Sequence, residues 1–210
     1  MKILSLNVAG MNNAGKQAGI LHLCRSYNMS MLQETKLKRH SLPLIQAKWG
    51  LNKGQVFMAG LPNARRGVIT IFHHHCEAVH IFHKEDVLGQ FLINIAVIKG
   101  NCYLFANVYG DPDTDVDCTL TFHRLSVCFE NISLVYQFDH IIMAGDFNCA
   151  LNNSDYRTLT RSKPSAEARL STLLNDFQLF DIGKLCREQP SFHTFAQTWR
   201  PRVQDMTDST

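Results

Sequence analysis

One apolar segment that ends in polar residues limits the fold of this chain more than any other feature. Residues 141–145 are apolar or small, and they lead directly into Asp146, Phe147 and Asn148. Because strand side chains alternate between two faces, we expect Asp146 and Asn148 to point the same way where a buried strand leaves its sheet. Such a carboxylate and carboxamide can hold a water molecule and a phosphate. The alternative is an ordinary turn, because Gly, Asp and Asn are frequent turn residues.

Three further apolar segments deliver polar side chains near their ends. Residues 2–8 carry Asn7, residues 31–35 carry Glu34, and residues 102–110 carry Tyr109. Acidic, amide and phenolic groups at the ends of several strands predict an active face at one end of a sheet.

Strand-like and helix-like segments alternate along the chain, which is typical of layered α/β domains. The strands predicted for the middle of the chain, several of them antiparallel hairpin partners, are 57–59, 67–72, 79–82, 91–98 and 102–109. Helical spacing of apolar residues predicts one helix capped by Asn12 or Asn13, one over residues 119–136, and one that begins near Ser165 and ends near Gly183. These patterns predict an α/β layered sandwich.

The composition predicts a single folded domain. Hydrophobic residues make up 45% of the 210 residues and charged residues 19%, which excludes a disordered chain. The longest apolar stretch, residues 87–98, is interrupted by polar residues and is shorter than the roughly 20 residues of a membrane-spanning helix. We therefore expect no membrane segment, and the first residues do not resemble a signal peptide. Seven cysteines without C-x-x-C spacing indicate reduced thiols in an intracellular protein.

Five motifs, in this order along the chain, carry a resemblance to a known family. They are Asn7, residues 33–36 (Gln-Glu-Thr-Lys), residues 107–109 (Asn-Val-Tyr), residues 145–148 (Gly-Asp-Phe-Asn), and residues 173–181 followed by 190–195. The first four resemble the endonuclease/exonuclease/phosphatase superfamily. The fifth is similar to the endonuclease domain of non-LTR retrotransposons. The resemblance covers residues 2–196.

The resemblance implies a four-layer sandwich of two facing, mostly antiparallel sheets flanked by helices, formed by residues 1–196. After Thr194 the family continues with an acidic strand residue and a closing Ser-Asp-His tripeptide. Residues 197–210 of this chain do not match that pattern. We therefore expect the last strands and the closing Asp-His pair to be missing, with residues 197–210 as a non-matching tail of a chain truncated at its C-terminus.

The resemblance also implies a role for each strand-end residue. Glu34, with Asn7 beside it, would bind Mg²⁺, with Mn²⁺ as an alternative ion, since such hard ions prefer carboxylate and amide oxygens. Asp146 would orient or deprotonate the attacking water, Asn148 would hold the phosphate and the nucleophile, and Tyr109 would donate to a phosphoryl oxygen. The structural alternatives are a turn residue for Asn7, a core-edge tyrosine for Tyr109, and ordinary surface acids for Glu34 and Asp146.

Basic residues lie near these motifs, in a chain whose net charge of +3 permits nucleic-acid binding without requiring it. The candidate DNA-binding residues are Lys36, Lys38, Arg39, Arg65, Arg66 and, by the family motif, Thr194. Phosphate contacts would give a salt-sensitive affinity, whereas the alternative is a set of solvated loop charges. We expect Lys163 in a polar surface loop over residues 152–164. Histidines 73–75 resemble a metal tract, but no other ligands are spaced for a tetrahedral site, which favours a structural role.

Together these features predict a Mg²⁺-dependent phosphodiesterase of the retrotransposon endonuclease type, which nicks DNA and is impaired by the loss of the Asp-His segment. Intact relatives expose a 3′ hydroxyl for their reverse transcriptase domain. We expect this chain to be a nuclear monomer. The alternatives are a non-catalytic remnant of the same fold that binds DNA, an apurinic repair endonuclease, and a superfamily phosphatase or phospholipase.

Overall fold

Two four-stranded β-sheets organise the part of the chain that the computed structural model describes, which is residues 1–63, 65–151 and 162–182. The first sheet contains β1 (Ile3–Asn7), β2 (Met29–Gln33), β3 (Gly54–Ala59) and β4 (Val68–His73), in the spatial order β1-β2-β4-β3. The second contains β5 (Val79–Glu85), β6 (Phe91–Ile98), β7 (Asn101–Tyr109) and β8 (His140–Asp146), in that order. In each sheet one pair is parallel, β1 with β2 and β7 with β8, and the other pairs are antiparallel. The mostly antiparallel pairing is confirmed.

The α-helices of the described residues are α1 (Ala14–Cys24), α2 (Leu42–Trp49), α3 (Asp115–Ser133) and α4 (Pro164–Asp176). The predicted cap of α1 is confirmed, since the Asn13 side chain accepts a hydrogen bond from the backbone of Lys16 at 3.0 Å. Helix α3 begins four residues earlier than predicted because Thr114 caps it in the same way. The predicted end of α4 at Gly183 is wrong, since the helix ends at Asp176.

The sheets and helices stack in four layers, as predicted. Helices α1 and α2 pack on the outer face of the first sheet, where Trp49 is fully buried with Ile45 and Ile69. Helices α3 and α4 cover the outer face of the second sheet in the same manner. A third cluster, which includes Met31 of β2 and Phe105 of β7, fills the space between the two sheets. Each sheet therefore has two buried faces, which explains its nearly continuous apolar strands.

A buried amide joins the two sheets next to their shared edge. Asn107 of β7 is fully buried, and its Nδ2 donates to the backbone oxygen of Ile69 in the first sheet at 2.8 Å. Its Oδ1 accepts a hydrogen bond from Gln33 Nε2 of β2, also at 2.8 Å. Since unpaired buried amides are costly, these bonds fix the offset between the sheets. The end of β2 is thereby held opposite the end of β7.

Several predictions fall outside the described residues. The expected missing strands, the boundary after residue 196 and the tail 197–210 all concern residues beyond 182. Among the helices of residues 1–63, 65–151 and 162–182, none is long and apolar enough to cross a membrane. The six cysteines in these ranges are free thiols.

Candidate active site

Four strands of the two sheets end at the same edge of the stack. The parallel pair β1 and β2 brings Asn7 beside Gln33, the residue before Glu34. The parallel pair β7 and β8 brings Tyr109 beside Asp146. Parallel strands present their carboxyl ends on one side, so each sheet contributes one pair of polar ends to this edge.

A direct hydrogen bond connects the two pairs. Asn7 Nδ2 donates to Asp146 Oδ2 at 2.6 Å, while Asn7 Oδ1 accepts from the backbone of Ala9 at 2.9 Å. The other carboxylate oxygen of Asp146, Oδ1, accepts from the backbone of Asn148 at 3.1 Å. Both oxygens of Asp146 are thus engaged, and the carboxylate has one orientation.

The segment after Asp146 is a turn rather than a continued strand. Strand β8 ends at Asp146, and Asn148 has a left-handed backbone with φ 49°, a region that Asn tolerates better than most residues. The argument from strand alternation was therefore wrong for this pair, and the turn interpretation was correct. Asn148 Nδ2 donates to the backbone oxygen of Gly110 at 2.8 Å, which uses one of its two amide hydrogens.

Two glycines allow close contact between the main chains of β7, β8 and the turn that follows β8. A Cβ added to Gly110 would lie 2.0 Å from the carbonyl oxygen of Phe147, and one added to Gly145 would lie 1.9 Å from that of Val108. Real side chains never approach so closely, so both positions require glycine. The spacing between the end of β7 and the turn after β8 is set by main-chain contact.

Glu34 lies one residue beyond β2, where the backbone is left-handed with φ 53°. Its side chain is 20% exposed, and its Oε1 lies 2.8 Å from Nζ of Lys36. Lys36, predicted to contact DNA, therefore neutralises this carboxylate in the structure.

Tyr109 is buried, and it lies beside Asp146 in the pairing of β7 with β8. Burial raises the pKa of its phenol, and the negative charges of Glu34 and Asp146 raise that pKa further. The phenol is consequently a neutral hydrogen-bond donor over the whole physiological range.

The oxygen donors of Glu34 and Asn7 fit a hard divalent cation. Carboxylate and amide oxygens are the ligands that Mg²⁺ prefers, and it typically takes one or two carboxylates and keeps several waters. Asn7 Oδ1 retains a lone pair after accepting from Ala9. The chemistry of the donor set therefore fits a divalent metal ion.

No protein-family model matches the sequence, and no curated protein matches it. Solved structures do match. An AP endonuclease from Archaeoglobus fulgidus superimposes with a TM-score of 0.68 at 16% identity, over 98% of this chain and 80% of that one. The catalytic domain of APE2 from Xenopus laevis gives 0.60 at 19%, over 82% and 67%. The 3′-5′ exonuclease NExo from Neisseria meningitidis gives 0.63 at 18%, over 83% and 71%. All three belong to the endonuclease/exonuclease/phosphatase superfamily.

The chain has the endonuclease/exonuclease/phosphatase fold. Within this fold the structure brings together five residues predicted from the sequence: Asn7, Glu34, Tyr109, Asp146 and Asn148. Thr194, the sixth motif residue, lies outside the described residues.

The basic residues predicted to bind DNA differ in their exposure and in their partners. Lys38 and Arg65 are exposed. Arg39 is also exposed, but its Nη2 lies 2.9 Å from Oε2 of Glu85. Arg66 is mostly buried, with 23% of its side chain exposed, and pairs with Asp111. These cations are therefore not equally available to a phosphate.

Asp111, two residues after Tyr109, was not predicted. It is fully buried, and its carboxylate accepts hydrogen bonds from Arg66 Nη2 and from Gln90 Nε2, the latter at 3.0 Å. Burial of a carboxylate is costly unless it is paired, so these bonds are needed for the fold. The segment Gly-Asp-Pro resembles an ordinary turn in the sequence, and no local signal indicates the partners.

Two further cations, Arg124 and Lys163, extend this buried network. Arg124 of α3 binds Oε1 of Gln90, and its Nε lies 3.3 Å from Asp86 Oδ1. Lys163 donates to the backbone oxygen of Asp111 and is 5% exposed. The expectation that Lys163 lies in a polar surface loop was wrong, because this contact buries its side chain at the start of α4.

Proposed function

We propose that this chain is a divalent-metal-dependent phosphodiesterase that nicks DNA, of the endonuclease type found in non-LTR retrotransposons. The observation that carries the proposal is the 2.6 Å hydrogen bond between Asn7 and Asp146. It joins the two sheets at the edge where β2 leads into Glu34 and β7 ends at Tyr109. Phosphodiester hydrolysis needs a positioned water, donors to the phosphoryl oxygens and charge compensation. These residues supply each requirement.

Asp146 is the group that orients and deprotonates the water. Its carboxylate is held by Asn7 from one side and by the backbone of Asn148 from the other, so its free lone pairs have a defined direction. A general base of this kind contributes about 10²–10⁴ in rate. Asn148 keeps one amide hydrogen for the phosphate, since the other is bonded to Gly110.

Tyr109 is the donor to a phosphoryl oxygen. A buried neutral phenol can donate a hydrogen bond to charge that develops in the transition state, and burial makes such a bond stronger than in water. Glu34 and Asn7 would hold Mg²⁺ or Mn²⁺. When bound, the ion supplies charge neutralisation at the phosphate and at the leaving oxygen.

DNA is the proposed substrate because Lys36 lies against Glu34 at the site and because Lys38, Arg39, Arg65 and Arg66 lie close to the site motifs in the sequence. We assign phosphate contacts first to the exposed Lys38 and Arg65. Lys36, Arg39 and Arg66 would contact phosphate only after leaving Glu34, Glu85 and Asp111, and Thr194 is added by the motif. The AP endonuclease and the 3′-5′ exonuclease among the structural neighbours support a nuclease activity. By the resemblance of its motifs to the endonuclease domain of non-LTR retrotransposons, we propose a nuclear monomer whose relatives act with a reverse transcriptase.

A plasmid assay tests the proposal. We expect the protein to convert supercoiled DNA to open circles with Mg²⁺ and to lose this activity in EDTA. Asp146→Asn should lower the rate by about 10² or more, while Asp176→Asn, an exposed acid at the end of α4, should leave it unchanged. Equal activity of the Asp146→Asn protein, or nicking that persists in EDTA, would contradict the assignment.

Apurinic repair is the second candidate, because AP endonucleases are among the structural neighbours. The two functions differ in substrate. A duplex with one abasic site and the matched intact duplex separate them. We expect comparable cleavage of both. A preference of about 100-fold or more for the abasic duplex would identify a repair enzyme, and binding without cleavage would identify a non-catalytic protein of the same fold.

A further inference from the structure

Three consecutive histidines lie at the edge opposite to the candidate active site. Strand β4 ends at His73, which pairs with Gly54 at the first residue of β3. Strand β2 runs antiparallel to β4, so its first residue, Met29, lies beside Phe72, while its last residue precedes Glu34. The long axis of the first sheet therefore separates His73, His74 and His75 from the carboxylates.

The backbone brings the three imidazoles together. In a continuous strand, consecutive side chains would alternate between faces and could not converge. Here a short 3-10 turn over His74–Cys76 follows β4 directly. The ring centroid of His73 lies 3.7 Å from that of His75 and 4.3 Å from that of His74. One ring nitrogen from each residue lies within 4.8 Å of the other two.

One of the rings is anchored and the other two are open to solvent. His73 is 7% exposed, and its ring makes an edge contact with Trp49 at a centroid distance of 5.5 Å. Its Nδ1 accepts a hydrogen bond from the backbone of His75, but at 3.3 Å this bond is long and costs little to give up. His74 and His75 are exposed. An ion from solvent could therefore bind first to the anchored ring of His73. The exposed rings of His74 and His75 could then turn to bind the same ion.

We propose that His73, His74 and His75 bind one first-row transition-metal ion, such as Zn²⁺, Ni²⁺ or Cu²⁺, with water in the remaining positions. Imidazole nitrogen suits these borderline ions, whereas Mg²⁺ prefers oxygen ligands. The histidine site should therefore bind these transition-metal ions in preference to Mg²⁺, the ion proposed for Glu34. It would connect the end of β4 to the turn that leads into β5, and it does not depend on the proposed nuclease function.

Titration calorimetry on the full chain, with excess Mg²⁺ to saturate the carboxylate site, tests this proposal with Zn²⁺ and Ni²⁺. We expect one ion per chain. The double variant His74→Ala/His75→Ala should weaken binding by more than about 100-fold, because it removes two direct ligands and even the loss of a residue that only orients a ligand costs about 10–100-fold. The matched control removes two other exposed histidines, His22→Ala/His40→Ala, and should bind as the unchanged protein does. Co²⁺ should give a visible absorption band typical of nitrogen ligation in the unchanged protein and in the control, but not in His74→Ala/His75→Ala.

Both double variants alter only exposed side chains, so thermal melting without metal should be unchanged. Added Zn²⁺ should then raise the melting temperature of the control and not that of His74→Ala/His75→Ala. An equal loss of affinity in the two double variants, or more than one ion per chain with no preferred site, would overturn the proposal and indicate adventitious binding to surface histidines.

Discussion

Asn7 and Asp146 are 139 residues apart in the sequence, and their side chains are joined by a 2.6 Å hydrogen bond. Asn7 ends β1 in the first sheet, and Asp146 ends β8 in the second. The two halves of the candidate site therefore belong to different sheets. The site exists only while the sheets are stacked in this register, which makes the residues that fix the register as important as those that line the site.

Asn107→Ala should test the inter-sheet register. The change removes an amide that bonds Ile69 and Gln33, and with it both of these hydrogen bonds between the two sheets. We expect the free energy of unfolding to fall by about 1–3 kcal/mol, measured by urea denaturation. Asn101→Ala, at an exposed position on the same strand, should change stability little. A stability loss no larger than that of Asn101→Ala would mean that Asn107 does not hold the sheets together.

Tyr109→Phe should lower kcat with little change in KM, because the donor acts on charge that develops in the transition state. Loss of one such donor typically costs about 10²–10³ in rate. Burial raises the pKa of Tyr109. Rate profiles of the unchanged protein should therefore show no decline from tyrosine ionisation up to about pH 10, the ordinary tyrosine value. A decline near that pH which Tyr109→Phe abolishes would contradict the buried neutral phenol. Tyr27→Phe serves as the matched control.

Asp111→Ala should destabilise the fold, because it leaves Arg66 without its carboxylate in a mostly buried position. Removing one partner of a buried ion pair costs about 3–5 kcal/mol, and we expect the lower end since the Arg66 side chain is 23% exposed. The double variant Asp111→Ala/Arg66→Met should recover part of the loss. Urea denaturation of the wild type, both single variants and the double variant gives the coupling. Additive losses in this cycle would show that the pair does not stabilise the fold.

The salt dependence of DNA affinity should distinguish exposed cations from paired ones. Lys38→Ala and Arg65→Ala should each reduce the slope of log K against log salt by about one. Arg39→Ala should reduce it less, because Glu85 already neutralises Arg39. Lys99→Ala, in the turn between β6 and β7, is the control. Unchanged slopes in the first two variants would place Lys38 and Arg65 on an ordinary solvated surface.

Asp115 should contribute stability that depends on pH. Partial burial alone would raise its pKa, but hydrogen bonds from the backbone of Ala166 at 2.8 Å and of Ser165 at 3.1 Å outweigh it and lower the pKa below its ordinary value of 3.8. The stabilisation is therefore present above that value and is lost as the pH falls through the lower folded pKa. Asp115→Asn should make the chain less stable at pH 7 and flatten the acid side of the stability profile. A parallel profile at lower stability would disprove the linkage.

Patterns in the sequence predicted those strands and helices that depend mainly on neighbouring residues. The strands are marked by apolar runs, and Asn13 caps α1 where the helical spacing begins. Helix α2 was missed because it has eight residues, too few for a clear period, and exposes Leu44 while burying Ile45 and Trp49.

The parts of the site that were not predicted depend on partners far along the chain. Asp111 meets Arg66 and Gln90, and Asn107 meets Gln33, through contacts between separate strands and loops. The turn at Asn148 was also misassigned in its first interpretation, because a left-handed residue stops strand alternation. The types and positions of site residues can be inferred from motifs. The hydrogen bonds and ion pairs that hold them in place become visible only in the folded structure.

The contact of Gly110 with Phe147 offers a way to switch off the candidate site while keeping every polar side chain in the sequence. Gly110→Ala adds one methyl group, which would collide with a carbonyl oxygen 2.0 Å away and push the turn that carries Asn148 off the end of β7. A protein altered in this way retains its charge and its full set of candidate ligands. It is therefore a sharper reference for inactive protein than any variant that deletes a charged group, because a loss of activity would report geometry alone.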